Sequence, residues 1–225
     1  MSNLTAGVDF ETYYHKTRYS VQVQGVRGYV EHPEFDAYMV SIYTSDGGEF
    51  AGHPSEFDFE EIKHYTWLSH NRGFDQAVYS QTMTNLGRPI VLPDQWHCTA
   101  DMAGYCGLPR DLGSLLNHLY DLELDKGVRD RMSGVKWNSL SPDQKEELIE
   151  YAMEDVRYLP KLWDDLKDQW PEMEREVSDM TIRMKYRGLP INATKLDKSI
   201  KDLGKKMMEF EDAIPWWDRE TAKNK

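Results

Sequence analysis

A chain of 225 residues and 26.3 kDa with 7 Trp, 13 Tyr and 7 Phe has ample apolar material for one packed domain and a smaller annex. Mean hydropathy is −0.72, no stretch approaches the ~20 apolar residues of a membrane helix, Met1 to Leu4 lacks the start of a signal peptide, and Cys98 and Cys106 make neither a disulfide framework nor a good zinc site, so a cytoplasmic protein with no membrane partner is expected. The formal charge of −12 argues, taken alone, against nucleic acid as a partner.

Leu4 to Phe10 is small and apolar and predicts a strand that ends in acid. Ala37 to Thr44 predicts a second strand, and Asp46-Gly47-Gly48 a tight turn into a return strand. Ser55 to Lys63 predicts a short helix capped by its serine. Tyr65 to Leu68 predicts a strand and Gly73 to Leu86 a helix; Cys98 to Tyr105 and Leu112 to Tyr120 predict two more helices separated by Gly107-Leu108-Pro109. Ser141-Pro142-Asp143-Gln144 has the form of a capping box, and the helix it opens is expected to reach about Lys167. Pro171 to Tyr186 predicts a further helix, stopped by Gly188-Leu189-Pro190. The last helix, Ala193 to Phe210, carries an apolar stripe of Leu196, Ile200, Leu203, Met207 and Phe210. Residues 1–140 and 141–180 each carry −8, whereas 181–225 carry +4, and the change of sign suggests a boundary. Strands early and helices late indicate an α/β domain, residues 1–178, followed by a helical extension, residues 179–225.

Three acidic patterns stand out along this scaffold. Asp9 and Glu11 are two apart on the first strand and project from one face, where a hard divalent cation would relieve their repulsion. Four Asp-x-Glu pairs occur, where composition alone predicts about two, but only this pair ends an apolar strand. Asn71 and Asp75 lie where the strand Tyr65 to Leu68 hands over to a helix, a usual place for functional groups; Asn117 and Asp121 share the spacing but sit late in an amphipathic helix. Tyr151 and Asp155 are four apart and share a helical face, the one Tyr-x3-Asp pair in the chain.

In that order, Asp-x-Glu, Asn-x3-Asp and Tyr-x3-Asp resemble the DEDD exonuclease superfamily, Tyr subclass; the His subclass would have histidine where Glu150 stands. Trp96-His97-Cys98-Thr99, Gly107-Leu108-Pro109 and Leu112-Gly113-Ser114-Leu115 are similar to the exonuclease domain of bacteriophage-type family A DNA polymerases. Ile182 to Asn192 is similar to the connector into their polymerase part. No palm or fingers segment follows within the 225 residues, so polymerisation is not expected of this chain alone.

The resemblance implies a ribonuclease H-like exonuclease fold, a mixed central sheet flanked by helices. It also implies 3′→5′ hydrolysis of single-stranded DNA or frayed 3′ ends with two divalent ions, Mg²⁺ or Mn²⁺, in a bacterial or infected host cytoplasm. By carry-over Asp9 bridges both ions, Glu11 and Asp155 complete the site of the attacking water, Asp75 serves the second ion, and Tyr151 orients the water. Thr12 and Asn71 would contact the terminal nucleotide. Phe74 either stacks on a base or belongs to the core, and Tyr13 and Tyr14 are stackers or surface tyrosines. Lys126, Arg129, Arg131 and Lys136 form a basic loop, either solvated or a track for phosphates. Lys195, Lys198, Lys201, Lys205 and Lys206 are read as the solvent side of the last helix, and Pro215-Trp216-Trp217-Asp218 as cover for a partner such as a polymerase domain or subunit. The competing functions are an exoribonuclease of the same superfamily and a non-catalytic module that docks nucleic acid or a replication partner.

Overall fold

Strand β1 (Thr5–Thr12) is the centre of a five-stranded sheet in the computed structural model, which describes residues 4–124 and 127–217. Lys126 and Asp218 therefore lie outside the described residues, as does the side chain of Arg129. The other strands are β2 (Ala37–Thr44), β3 (Glu49–Gly52), β4 (Thr66–Ser69) and β5 (Gln95–Cys98), in the order β3-β2-β1-β4-β5. β1 runs antiparallel to β2 and parallel to β4; β2 and β3 are antiparallel, β4 and β5 parallel. Ala6, Val8 and Phe10 enter an aromatic core with Phe59, Trp67, Tyr79 and Trp96. That alternation puts Gly7, Asp9 and Glu11 on the opposite face.

Helices cover both faces. They are α1 (Val21–Val30), α2 (Arg72–Asn85), α3 (Thr99–Tyr105), α4 (Leu112–Tyr120), α5 (Gly127–Arg131), α6 (Pro142–Arg157), α7 (Leu159–Leu166) and α8 (Glu172–Arg187). The capping box forms as expected: the Ser141 hydroxyl accepts from the Gln144 amide and the Gln144 side chain accepts from the Ser141 amide. The helix it opens does not reach Lys167. Pro160 has no N–H to offer the Val156 carbonyl, so α6 ends at Arg157 and α7 restarts with Pro160 in its first turn.

Other expectations need correction. Ser55 to Lys63 is two 3₁₀ turns, Pro54–Glu56 and Phe59–Ile62, because the His53 ring caps the first and the Asp58 carboxylate starts the second. Cys98 is the last residue of β5 rather than the first of a helix. Helix α1 carries two glycines, of which Gly25 has φ 70° and kinks the helix, so its sequence gives no helical signal. Both cysteines are free thiols.

Helix α8 is fastened by its first two turns. His97 stacks on Trp163 with centroids 4.6 Å apart, Trp170 stands edge-on to it, and the Arg175 guanidinium lies 5.0 Å over Trp163 while donating to the carbonyls of Trp170 and Lys167. Burial, then the positive charge of Arg175, holds the His97 pKa down at about 4. The unfolded chain therefore binds the extra proton first, and stability is lost as pH falls from about 6.5 toward 4. His97→Phe keeps the stack and removes the proton site. Its melting temperature should fall less over this window, by on the order of 2 kcal/mol in stability, which thermal melts at pH 7 and pH 4.5 will measure.

The chain divides into two compact units, Met1–Tyr186 and Arg187–Lys225. The second holds α9 (Ala193–Asp212), capped where the Asn192 side chain accepts from the Lys195 amide. Its apolar stripe is exposed, and so are Trp216 and Trp217. Among the described residues no helix is long and apolar enough to cross a membrane.

Candidate active site

Strand β4 follows β1 only as far as the pair Gly7 and Leu68. The pairing ends there, at the carboxyl ends of two parallel strands and beside an antiparallel neighbour, the end of the sheet where open α/β folds place ligands. The backbone of β1 past this point needs other partners. The Ser69 hydroxyl donates to the Val8 carbonyl at 2.6 Å, and the Phe10 amide donates to Asp75 Oδ1 at 3.3 Å. A register shift at Glu11 and Thr12 then turns the strand end.

Asp9 and Glu11 from β1 and Asp155 from α6 bring one carboxylate oxygen each within 4.8 Å of one another. The close approach depends on Gly7. A Cβ there would stand 2.6 Å from the Val156 carbonyl oxygen and 3.3 Å from Leu159 Cβ. Glycine two residues before Asp9 thus meets the backbone one residue after Asp155, and the missing side chain lets the two carboxylates converge.

Asp75 comes from the first turn of α2 and is 1 % exposed. Burial, then the charge of Asp9, raises its pKa well above the usual carboxylate range, with a further push from Glu11. Its Oδ2 is buried without a hydrogen-bond partner among the described residues. A buried carboxylate oxygen left without a donor, beside three converging carboxylates, is a donor set for cations. All donors are hard oxygens, which suits Mg²⁺ or Mn²⁺ and not a thiophilic ion. The residues therefore fit the ions that the sequence resemblance implies.

The remaining expected residues are placed as follows. Tyr151 precedes Asp155 by one turn of α6 and is half-buried against Tyr38, Met39 and Leu148. Asn71 caps α2 through its backbone only, leaving its exposed side chain uninvolved in the cap. The Thr12 hydroxyl lies 2.7 Å from the Tyr29 hydroxyl, which itself donates to the Tyr13 carbonyl, so α1 anchors the turned end of β1. Phe74 is half-buried with its ring 6.0 Å from that of Tyr29. Tyr13 is not a stacking platform, because its ring is buried against Tyr19; Tyr14 is half-buried. Arg131 forms an ion pair with Glu147 in which both side chains are more than half exposed, while Lys136 lies over the Tyr13 ring.

Three contributors were invisible as sequence. Gly7 is one. Arg72 is another: at 12 % side-chain exposure it bridges Asp179 of α8 at 2.7 Å and Gln76, and so fixes the start of α2 between Asn71 and Asp75. His70 is the third. Burial lowers its pKa, and the neutral ring reaches the Arg110 carbonyl through Nε2 at 2.8 Å and Thr99 Oγ1 through Nδ1 at 3.0 Å, which pins the loop from β4 to α2. None of the three has a motif, since each acts through a contact distant in sequence.

No protein-family model matches the chain, and no curated protein sequence matches it. Solved structures do. Escherichia coli RNase D, described as an exoribonuclease involved in structured RNA processing, is similar with a TM-score of 0.55 and 18% identity over 82% of this chain and 46% of its own. The family B DNA polymerase of Pyrobaculum calidifontis gives 0.56 and 18% over 74% of this chain and 25% of its own, and Brucella melitensis NrnC 0.52 and 17% over 81% and 82%. The chain thus spans less than half the length of the RNase D chain and a quarter of the polymerase. What these likenesses share is the architecture: a five-stranded mixed sheet flanked by helices, the ribonuclease H-like exonuclease fold.

Proposed function

We propose that the chain is a metal-dependent 3′→5′ exonuclease that removes nucleotides from single-stranded polynucleotide ends. The observation that carries this reading is the convergence of Asp9, Glu11 and Asp155 within 4.8 Å beside the buried, partly unpartnered Asp75. Two divalent ions held there would supply charge neutralisation and a lowered pKa for the attacking water. In this reading Asp9 would serve both ions, Glu11 and Asp155 would complete one site and Asp75 the other. The Tyr151 hydroxyl, one turn from Asp155, would orient the water as a hydrogen-bonding group and not as a base, phenols having a pKa near 10. Asn71, whose side chain is exposed, would flank the terminal nucleotide together with Thr12 and Phe74.

DNA is the first substrate of this reading, supported by the segments similar to phage-type family A polymerases, and it makes the chain a proofreading domain or subunit whose partner is a polymerase. The exoribonuclease reading is favoured by the likeness to RNase D. Matched single-stranded DNA and RNA 12-mers, labelled at the 5′ end, test both. Stepwise shortening from the 3′ end in Mg²⁺ or Mn²⁺, and none in EDTA, is expected. Cleavage that needs no divalent metal refutes the mechanism, and RNA degraded with DNA intact moves the substrate to RNA.

A further inference from the structure

In a chain of net charge −12, the cations that can receive a polynucleotide must be local and uncommitted. From Arg18 to Arg183, every described Lys or Arg side chain of the first unit but two bonds a carboxylate or carbonyl oxygen. Arg18, Arg27, Lys63, Arg72, Arg110, Arg131, Arg157, Lys161, Lys167 and Arg183 pair with acids, and Arg88 and Arg175 donate to carbonyls. Lys185 of α8, just beyond that range, is exposed and pairs with no acid among the described residues; within the range the exceptions are Lys136 and Lys145. Each lies over an aromatic ring instead, Lys136 Nζ 5.8 Å from the centroid of Tyr13 and Lys145 Nζ 5.0 Å from that of Trp137.

Both rings lead back to the same end of β1. Tyr13 is two residues beyond Glu11. Trp137 stacks on Tyr38 at 5.6 Å, and Tyr38 is near enough to Glu11 for that carboxylate to help raise its pKa, after burial. The segment carrying Lys136 is tied to the chain just past β1: the Gly134 amide donates to the Tyr14 carbonyl at 2.7 Å, and the Lys16 amide donates to the Ser133 hydroxyl at 3.1 Å. A ring face orients an ammonium group without neutralising it, so the positive charge stays available to an anion.

We propose that Lys136 and Lys145 form a two-point track for the phosphates of the strand upstream of the scissile bond, so that a polynucleotide several residues long is preferred over a dinucleotide. This rests on the nuclease reading for its biological sense, but its test does not. Lys136→Gln/Lys145→Gln removes both charges and leaves a polar side chain one atom shorter. Binding is measured by the anisotropy of a fluorescent single-stranded 12-mer in Ca²⁺, where cleavage is not required. The double variant should bind about tenfold or more weakly, and the slope of log affinity against log salt should fall by about 1.4, at about 0.7 per phosphate contact on a single strand. Lys136→Arg/Lys145→Arg should restore both. Lys161→Gln, which removes a lysine over Tyr120 that is already paired with Asp165, should change neither. In cleavage assays the KM of the 12-mer should rise with kcat unchanged, and a dinucleotide should be hydrolysed by the double variant as by the unaltered chain. Unchanged 12-mer affinity and salt slope overturn the proposal, as does an equal loss on the dinucleotide. Binding that follows the two charges in a chain that cleaves nothing upholds the track and sinks the nuclease reading alone.

Discussion

Asp9→Asn should abolish phosphodiester hydrolysis, by three orders of magnitude or more, while raising the melting temperature of the metal-free protein. The two effects have one cause. Asp9, Glu11 and Asp155 present oxygens within 4.8 Å of one another, and Asp75 is buried against them with its pKa raised by burial and by Asp9. At an effective dielectric of about 20, like charges about 5 Å apart repel by on the order of 3 kcal/mol. Removing the central charge relieves that repulsion in EDTA, and a protein of this length gains roughly 2–4 °C per kcal/mol. Divalent ions reverse the order. At a hundredfold excess over Kd a bound ion stabilises by about 2.7 kcal/mol, and the asparagine variant forfeits most of that gain. Melts of both proteins in EDTA and in Mn²⁺, with cleavage assays alongside, give the four numbers needed. An asparagine variant that melts below the unaltered chain in EDTA would show that the cluster is held together by the fold's own hydrogen bonds and not strained by its charges.

Gly7→Ala should lose both stability and activity although it changes no polar group. The new methyl would lie 2.6 Å from the Val156 carbonyl oxygen, a backbone atom that cannot swing aside. Over-packing of this kind costs about 1–3 kcal/mol. The relief open to the protein is to move the α6–α7 junction off the sheet, and Asp155 moves with it. A misplacement of about 1 Å in a catalytic group is worth roughly a hundredfold in rate. Metal titrations of activity should show the midpoint displaced to higher concentration, because the ligand set has been opened rather than depleted. If Gly7→Ala matches the unaltered chain in melting temperature and metal midpoint, the contact between strand and helix does not set the site.

The acidic candidates were legible because regular structure converts spacing into direction. Two apart on a strand and four apart on a helix are sufficient to aim Asp9 with Glu11, and Tyr151 with Asp155, without knowing where strand and helix lie. Their convergence was not legible, since it depends on Gly7 and Val156, which are 149 positions apart in the chain. Asp75 was placed at a strand-to-helix junction from sequence, but its burial, and the donor it takes from Phe10, follow from the early end of β4. The strands β1 and β2 and the helices α2, α4 and α9 had clear periodicity. Helix α1 was hidden by its glycines, β5 by being four residues long, and the break between α6 and α7 by an apolar face that continues across Pro160 although the hydrogen bonds do not. Tyr13 looked exposed beside an acidic strand end, but it packs in the core against Tyr19 with Lys136 over its ring.

The central strand also imposes an order of assembly. β1 is synthesised first, yet the helix that supplies Asp155 and covers the face bearing Asp9 comes about 140 residues later. At 5–20 residues per second, the ribosome needs about 7 to 28 seconds to deliver it. Throughout that interval the nascent chain can pair β1 with β2 and β4, but one acid of the cluster has not been made. If the chain works as proposed, a site drawn from both β1 and α6 is incomplete until α6 is made, and degradation that trims the chain back past α6 removes Asp155 again.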